Sequence, residues 1–316
     1  MIPIASAWPA PVADALSALL ERYAGWRDEA GRPPLAAFDF DNTCVAGDIG
    51  EAVHYRLSET MSYALDDERF WQLIAPEDGR EPLRALWDRE LGLLAPEARV
   101  LHPGAVAWSS DLIATYARRY RRLGAAEAYH WAARLHVGLC PMWLREFSVD
   151  TFALERARPL GTEDRATLGS DRVTLPRGIR VRPAMVALAR AMQDAGWEVW
   201  VISATNQWTI EAVAPLLGFA PERVVGNRCR VDQARITDER EGPITWRQGK
   251  VDAIALHTGR PPVAAFGDTW TDVEMLHAAT ELALLVDRGD AQLRSLAEER
   301  RWQVVPAEAL AIEEPR

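Results

Sequence analysis

The apolar run Leu35–Phe40, "LAAFDF", has no partner nearby: the next comparable run is "WEVWVISAT", Trp197–Thr205. A lone strand leaves backbone donors and acceptors unpaired along both edges, so it must join a sheet built from later parts of the chain. Those later parts have the required rhythm. Helical stretches at Pro183–Ala195, Trp208–Leu217, Arg247–His257, Asp272–Ala279 and Ala291–Glu299 alternate with apolar runs at Trp197–Thr205, Val263–Phe266, Leu282–Val286 and Trp302–Val305. "RVVGNRCRVDQARIT" alternates as a hairpin does. Strands alternating with helices predict an α/β fold with a parallel sheet covered on both faces.

The stretch between the lone strand and this block reads differently. Helical segments are expected at Ile49–Ser58, Asp66–Ile74, Pro82–Leu93, Val106–Leu123, Ala125–Val137 and Trp143–Ala157, with no convincing strand before about Asp171. Such a segment, about 120 residues long, is near domain size. The expected organisation is therefore a core made of residues 1–47 and 172–316, with an all-helical insertion at 48–171. "RPLGTEDRATLGSDRVTLPRGIRVRP" reads as a turn-rich linker, and a helix near residues 12–26 ends at "GRPP" (Gly31–Pro34).

In an open parallel sheet, ligands bind beyond the carboxyl ends of the strands. The chain sends polar groups to that edge repeatedly: Asp39 and Asp41 alternate with Phe38 and Phe40, Ser203 ends one strand, and Asp268 ends another. Lys250 falls in the first turn of a helix. Together these types suit phosphoryl transfer. Asp39 can attack phosphorus, while Lys250 and a divalent cation neutralise the phosphate. Ser203 and the N–H groups of Ala204 and Thr205 can hold its oxygens, with Ser203 also expected to cap the following helix. Asp268 beside Asp39 supplies the second carboxylate that a hard cation such as Mg²⁺ prefers. Asp41 is placed to protonate a leaving alcohol and then to activate water.

"DFDNT" (Asp39–Thr43), "VISAT" (Val201–Thr205), Lys250 and "GDTWTD" (Gly267–Asp272) resemble, in order, the four motifs of the haloacid dehalogenase superfamily. The resemblance implies a Rossmann-like core with a helical cap and Asp39 as a nucleophile that becomes an aspartyl-phosphate. It further implies Ser203 and Lys250 gripping phosphate, and Thr43 supporting the loop. Mg²⁺ would be held by Asp39, the Asp41 backbone carbonyl and Asp268, with Asp272 orienting that shell. Asp41 favours phosphate esters, since dehalogenating members lack the second acid. The helical insertion resembles the cap of the phosphoserine and phosphorylcholine phosphatase branch. There, acids after the first motif contact the substrate's amine or ammonium, a position held here by Asp48 and Glu51. The expected activity is Mg²⁺-dependent hydrolysis of a small phosphorylated metabolite. The alternatives are a phosphotransferase or mutase using the same intermediate, and a catalytically idle binding domain.

Composition narrows the partners. A net charge of −10 argues against nonspecific binding to nucleic acid or anionic membranes. The one basic run, "ARRYRRLG" (Ala117–Gly124), reads as a solvated helix face. Cys44, Cys140 and Cys229 form no CxxC pair, which suits a reducing compartment, and Cys44 has no neighbouring His to activate it. The N-terminal stretch has no basic segment followed by an apolar core, and no run is long enough to span a bilayer, so the cytoplasm is expected. Trp71, Trp87, Trp108, Trp131 and Trp143 have core-like helical spacing, an ammonium cage being the alternative reading. His54, His130 and His136 read as ordinary helix residues. The sequence leaves oligomeric state open.

Overall fold

The structure is a computed structural model describing residues 7–169 and 171–314; the first six residues of the N-terminal stretch lie outside the described residues. Eleven strands are described: β1 (Leu35–Phe38), β2 (Val45–Ala46), β3 (Gly161–Ala166), β4 (Arg172–Arg177), β5 (Arg180–Val181), β6 (Glu198–Asn206), β7 (Val224–Asp232), β8 (Arg235–Glu241), β9 (Ala264–Gly267), β10 (Leu282–Asp287) and β11 (Gln303–Pro306). Seven form the central sheet in the order β11-β10-β9-β1-β6-β7-β8. All neighbours run parallel except β7 and β8, which are the expected hairpin.

The lone strand β1 sits at the centre of this sheet. Phe38 pairs with Val201 of β6 on one side and Phe266 of β9 on the other, and its ring stacks on Phe266 with centroids 4.2 Å apart. All four β1 residues are buried. The strand order reverses at β1, which opens a crevice beyond its carboxyl end. Three polar strand ends are thereby brought side by side. The strand stops at Phe38, two residues short of expectation, because the Phe40 carbonyl turns away to accept the N–H groups of Cys44 (2.8 Å) and Val45 (3.3 Å).

The inserted segment is helical as expected through Pro141–Ala157. Four of its tryptophans form its core: Trp71, Trp87, Trp108 and Trp131 are buried. The indole N–H groups of Trp71, Trp108 and Trp131 donate to the carbonyls of Leu65, Leu83 and Leu73. These four rings are buried and none lines the cavity described below, so the core reading holds for them and the cage reading does not; Trp143, expected with them, is exposed.

Two expectations fail. The "linker" after Ala157 contains a regular hairpin, with β3 and β4 paired from Gly161↔Arg177 to Ala166↔Arg172. The boundary expected at 171/172 falls between these paired strands, and the insertion is not wholly helical. Val173, Leu175 and Arg177 alternate inward, and Leu175 is buried against Tyr55 and Ile113. Pro176 and the surrounding turn residues mask that short alternation.

The basic run is not a solvated face either. Arg119 and Arg122 both pair with the fully buried Asp78 carboxylate (3.0 and 2.8 Å), and Arg118 reaches the Asp78 carbonyl (2.7 Å) and Asp111. A helical charge run leaves open which acids fold over it; here the Pro76–Asp78 turn delivers one. Removing the acid takes the partner from Arg119 and from the more exposed Arg122, so Asp78→Ala is expected to lower the urea midpoint. Urea unfolding measures it; an unchanged midpoint would restore the solvated-face reading.

Candidate active site

At the crevice, a buried lysine joins two strand ends. Lys250 Nζ donates to Asp39 Oδ1 at 2.6 Å and to Asp272 Oδ1 at 2.5 Å, and Lys250 and Asp272 have no solvent exposure. Burial works to lower the ammonium's pKa, but the Asp272 and Asp39 carboxylates outweigh it and raise it, so the lysine stays charged. Lys250 is the only lysine among the 36 Lys and Arg residues of the sequence. A compact point charge fits between two carboxylates where the broad arginine fork does not.

The backbone around this lysine leaves little freedom. Its helix, Gln248–Thr258, begins after Arg247, a non-glycine residue with φ +50° whose N–H donates to Thr271 O (2.8 Å). That bond ties the start of the lysine helix to the loop after β9. A Cβ on Gly249 would lie 1.7 Å from the Ile244 carbonyl oxygen, and one on Gly267 would lie 2.5 Å from Asp272 Cβ. Only glycine lets these backbones approach. In the same loop, Asp272 Oδ2 accepts the N–H groups of Asp268 (3.0 Å) and Thr269 (3.1 Å).

Asp39, Asp268 and Asp272 lie close enough that one carboxylate oxygen from each falls within 4.8 Å of the others. Thr43 is fully buried and its hydroxyl spans the first two, 3.0 Å from Asp39 Oδ2 and 3.3 Å from Asp268 Oδ1. Burial pushes Asp39 up to about 6, a rise that Lys250 limits. Burial, then Asp39 and Asp272, raise Asp268 well above the usual carboxylate range, although Arg288 pairs with it at 3.0 Å. Carboxylates thus outnumber the cations beside them, and their oxygens are the hard donors a divalent cation such as Mg²⁺ takes. The donor set fits the group.

Among the described residues, no cation pairs with Asp41. Its Oδ1 accepts Ile49 N–H (2.7 Å), and its Oδ2 accepts the Thr205 hydroxyl (2.7 Å), with the Ser203 hydroxyl at 3.5 Å. Burial, followed by repulsion from Asp48 and Asp39, raises its pKa well above the usual value. Ser203 does not cap the next helix. β6 runs on to Asn206, whose side chain accepts from Trp208 and Thr209 N–H. The Ser203 hydroxyl instead accepts Thr205 N–H (3.1 Å), which occupies one of the amides expected to face phosphate. Ala204 is fixed by Asn227, whose amide donates to its carbonyl (2.6 Å).

The crevice opens into a cavity of about 660 Å³. Asp39, Asp41, Ser203 and Asp268 line it together with Asp48, Glu51, Tyr55, Tyr116, Tyr120, Tyr129 and the cations Arg121 and Arg288, whereas Thr43, Asp272 and Lys250 do not. Asp48 caps the helix Ile49–Glu59 by accepting Glu51 N–H, and Glu51 Oε2 accepts the Tyr55 hydroxyl at 2.9 Å. Burial, then Asp48, push Glu51 up to about 7. His54 and His136 also line the cavity, but burial drives both down to about 4, so they are neutral. Cys44 is buried beneath Asp39, its thiol donating to the Asp39 carbonyl (3.2 Å), and burial raises its pKa far from reactivity. Trp270 is pinned outward by Asp290 (2.8 Å) and does not line the cavity.

Sequence reasoning missed Arg288, the tyrosines and the wall residues of β4. Arg288 follows β10 at the same sheet edge, so the strand-end rule that found Asp268 would have found it too. The tyrosines carry no such local signal.

The family profile of haloacid dehalogenase-like hydrolases matches residues 36–277. The chain belongs to that family. Phosphorylcholine phosphatase of Pseudomonas aeruginosa is 25% identical over 83% of this chain and 74% of its own length. Phosphoserine phosphatase SerB1 of Mycobacterium tuberculosis is 32% identical, but the match covers only 35% of this chain and 36% of SerB1. A protein of unknown function from Anaerococcus prevotii shares the fold with a TM-score of 0.79 at 20% identity, covering 96% of this chain and 94% of its own.

Replacing Lys250 by Met leaves two buried carboxylates facing each other without a counter-charge, at a cost of about 3–5 kcal/mol near pH 8. With Lys250 present Asp39 is already raised to about 6, and losing that cation raises it further, so the variant takes up a proton the native protein does not and the deficit shrinks as pH falls toward 6. Urea unfolding in metal-free buffer at pH 8 and pH 5 reads both values; equal deficits would remove the two acids as its cause.

Proposed function

We propose that this protein hydrolyses small phosphomonoesters through an aspartyl-phosphate on Asp39, with Mg²⁺ as cofactor, and that its substrates carry an amine or quaternary ammonium group, as phosphocholine does. The observation that carries the reading is the contrast between two neighbouring acids. Asp39 has Lys250 at 2.6 Å and a pKa of about 6, so it is ionised at neutral pH. Asp41 pairs with no cation among the described residues and keeps its proton more strongly. Environments that push two acids apart in this way assign nucleophile and general acid.

In the first step an Asp39 carboxylate oxygen bonds to phosphorus, and the ester P–O bond breaks as Asp41 delivers its proton to the departing oxygen. Asp41, now ionised, takes a proton from the water that attacks the aspartyl-phosphate. Inorganic phosphate leaves and Asp39 is restored. Ser203 and the Ala204 N–H hold phosphate oxygens, and Lys250 adds its positive charge from behind Asp39, while the Thr205 amide and hydroxyl stay committed to Ser203 and Asp41. Mg²⁺ would be held by Asp39, the Asp41 carbonyl and Asp268, with Asp272 fixing the loop, and would supply charge neutralisation of the phosphate. Thr43 orients the Asp39 carboxylate.

The ammonium reading rests on the rest of the cavity wall. Asp48 and Glu51 set two carboxyls in it, alongside the Arg121 and Arg288 cations, and the rings of Tyr116, Tyr120 and Tyr129 lie at centroid distances of 6.3 Å. Aromatic faces beside carboxylates attract cations. Two of the related proteins are named for phosphorylcholine and phosphoserine, both of which carry such a nitrogen.

Purified protein is expected to hydrolyse p-nitrophenyl phosphate with Mg²⁺ and to stop on addition of EDTA. Asp39→Asn is expected to lose at least about a thousandfold in kcat while remaining folded by circular dichroism; full turnover would refute Asp39 as nucleophile. A second measurement concerns Glu51. As pH rises through about 7 its carboxyl ionises, so kcat/KM for phosphocholine relative to p-nitrophenyl phosphate is expected to climb several-fold between pH 6 and 8. Glu51→Gln flattens that ratio. A ratio that stays flat in the wild type would sink the ammonium contact.

A further inference from the structure

The hairpin β3–β4 stands where the sequence suggested only a linker, and one of its strands reaches the cavity. Val173, Thr174, Leu175 and Pro176 all line it. Their alternation is that of a half-buried strand: Leu175 and Arg177 are buried, Val173 is half-buried, and Thr174 and Pro176 are exposed. Leu175 packs against Tyr55 and Ile113, with Val173 beside it. The hairpin is thus part of the cavity wall, packed beside Tyr55.

Four charges fix this wall in place. Arg177 pairs with Glu59 and, at 3.1 Å, with Glu163; Arg165 pairs with the same two acids at 2.9 and 2.7 Å. Glu59 ends the helix that begins beside Asp48 and carries Glu51 and Tyr55, so the hairpin is tied to the element presenting the cavity's acids. The Arg177 guanidinium also lies over the Tyr55 ring, 5.3 Å from its centroid, and the Tyr55 hydroxyl is bonded to Glu51. The Arg177 side chain is 8% exposed, Arg165 16% and Glu59 21%, while Glu163 is 43% exposed, so the network is interior at Arg177 and opens to solvent at Glu163.

We propose that the Gly161–Arg177 hairpin is the size-selecting element of the site, with Leu175 and Val173 as the residues that limit the bulk of the substrate's organic group and the Glu59–Glu163–Arg165–Arg177 quartet as its anchor. This rests on the reading that phosphate sits at Asp39 and the organic group extends toward the tyrosines. It does not require that the group be an ammonium. A wall set by apolar side chains discriminates by about tenfold or more per methylene-sized change.

Phenyl phosphate and 2-naphthyl phosphate, which carry no ammonium, test the wall alone. Leu175→Ala is expected to raise the naphthyl-to-phenyl ratio of kcat/KM by about tenfold, with phenyl phosphate turnover retained. Val173→Trp, a change at a half-buried position, is expected to move the ratio the opposite way and serves if Leu175→Ala fails to fold. Ratios unchanged in soluble, active Leu175→Ala and Val173→Trp proteins overturn the proposal. So does a shift of the same sign in both. Failure of the wild type to hydrolyse any ester would instead remove the phosphatase reading, and the hairpin's role with it. Hydrolysis of aryl phosphates without phosphocholine would remove only the ammonium contact and leave the wall test decisive.

Discussion

The buried contact of Lys250 with Asp39 and Asp272 constrains everything around it. An ammonium with no solvent exposure survives only if carboxylates surround it, and the two that do so come from opposite ends of the chain's core. Asp39 ends the central strand; Asp272 closes the loop after β9. Joining them through one lysine fixes the spacing of two strand ends and a helix start. The glycines at 249 and 267 and the left-handed Arg247 are the backbone conditions for that closeness. Strain at such positions persists only where surrounding bonds over-determine it, and the Arg247 N–H bond to Thr271 is one of these.

From that arrangement follows a division of labour between chemically identical side chains. Asp39, Asp41, Asp268 and Asp272 are all aspartates in one crevice, yet each has different partners. A lysine stands beside Asp39, hydroxyls and an amide beside Asp41, an exposed arginine beside Asp268, and two loop amides beside Asp272. Identity in sequence becomes difference in environment through burial and neighbours. The cavity extends the same logic outward, placing Asp48 and Glu51 among tyrosines and away from the lysine.

Much of this was legible in the chain. Alternation of apolar runs with helices predicted the sheet, and strand ends carrying Asp39, Ser203 and Asp268 predicted the edge where they meet. The helical insertion and its tryptophan core were likewise readable from helical spacing. What was not legible involved partners distant in sequence. Arg118, Arg119 and Arg122 read as a solvated face because nothing local says that Asp78 will fold beneath them. The β3–β4 hairpin was hidden by Pro176 and by turn-forming neighbours, and only packing of Leu175 on Tyr55 and Ile113 makes its short alternation count.

The sequence by itself determined the α/β core, the interrupting insertion and the polar residues gathered at the strand-end edge, because periodicity and strand-end chemistry are local properties written in order along the chain. It also held an unused clue, a single lysine among so many arginines. Only the tertiary structure decided that Ser203 leaves helix capping to Asn206, that tyrosines rather than tryptophans line the cavity, and that a hairpin forms part of its wall. Those outcomes depend on which surfaces meet across long separations, where burial and charge pairing act on groups that no local pattern connects.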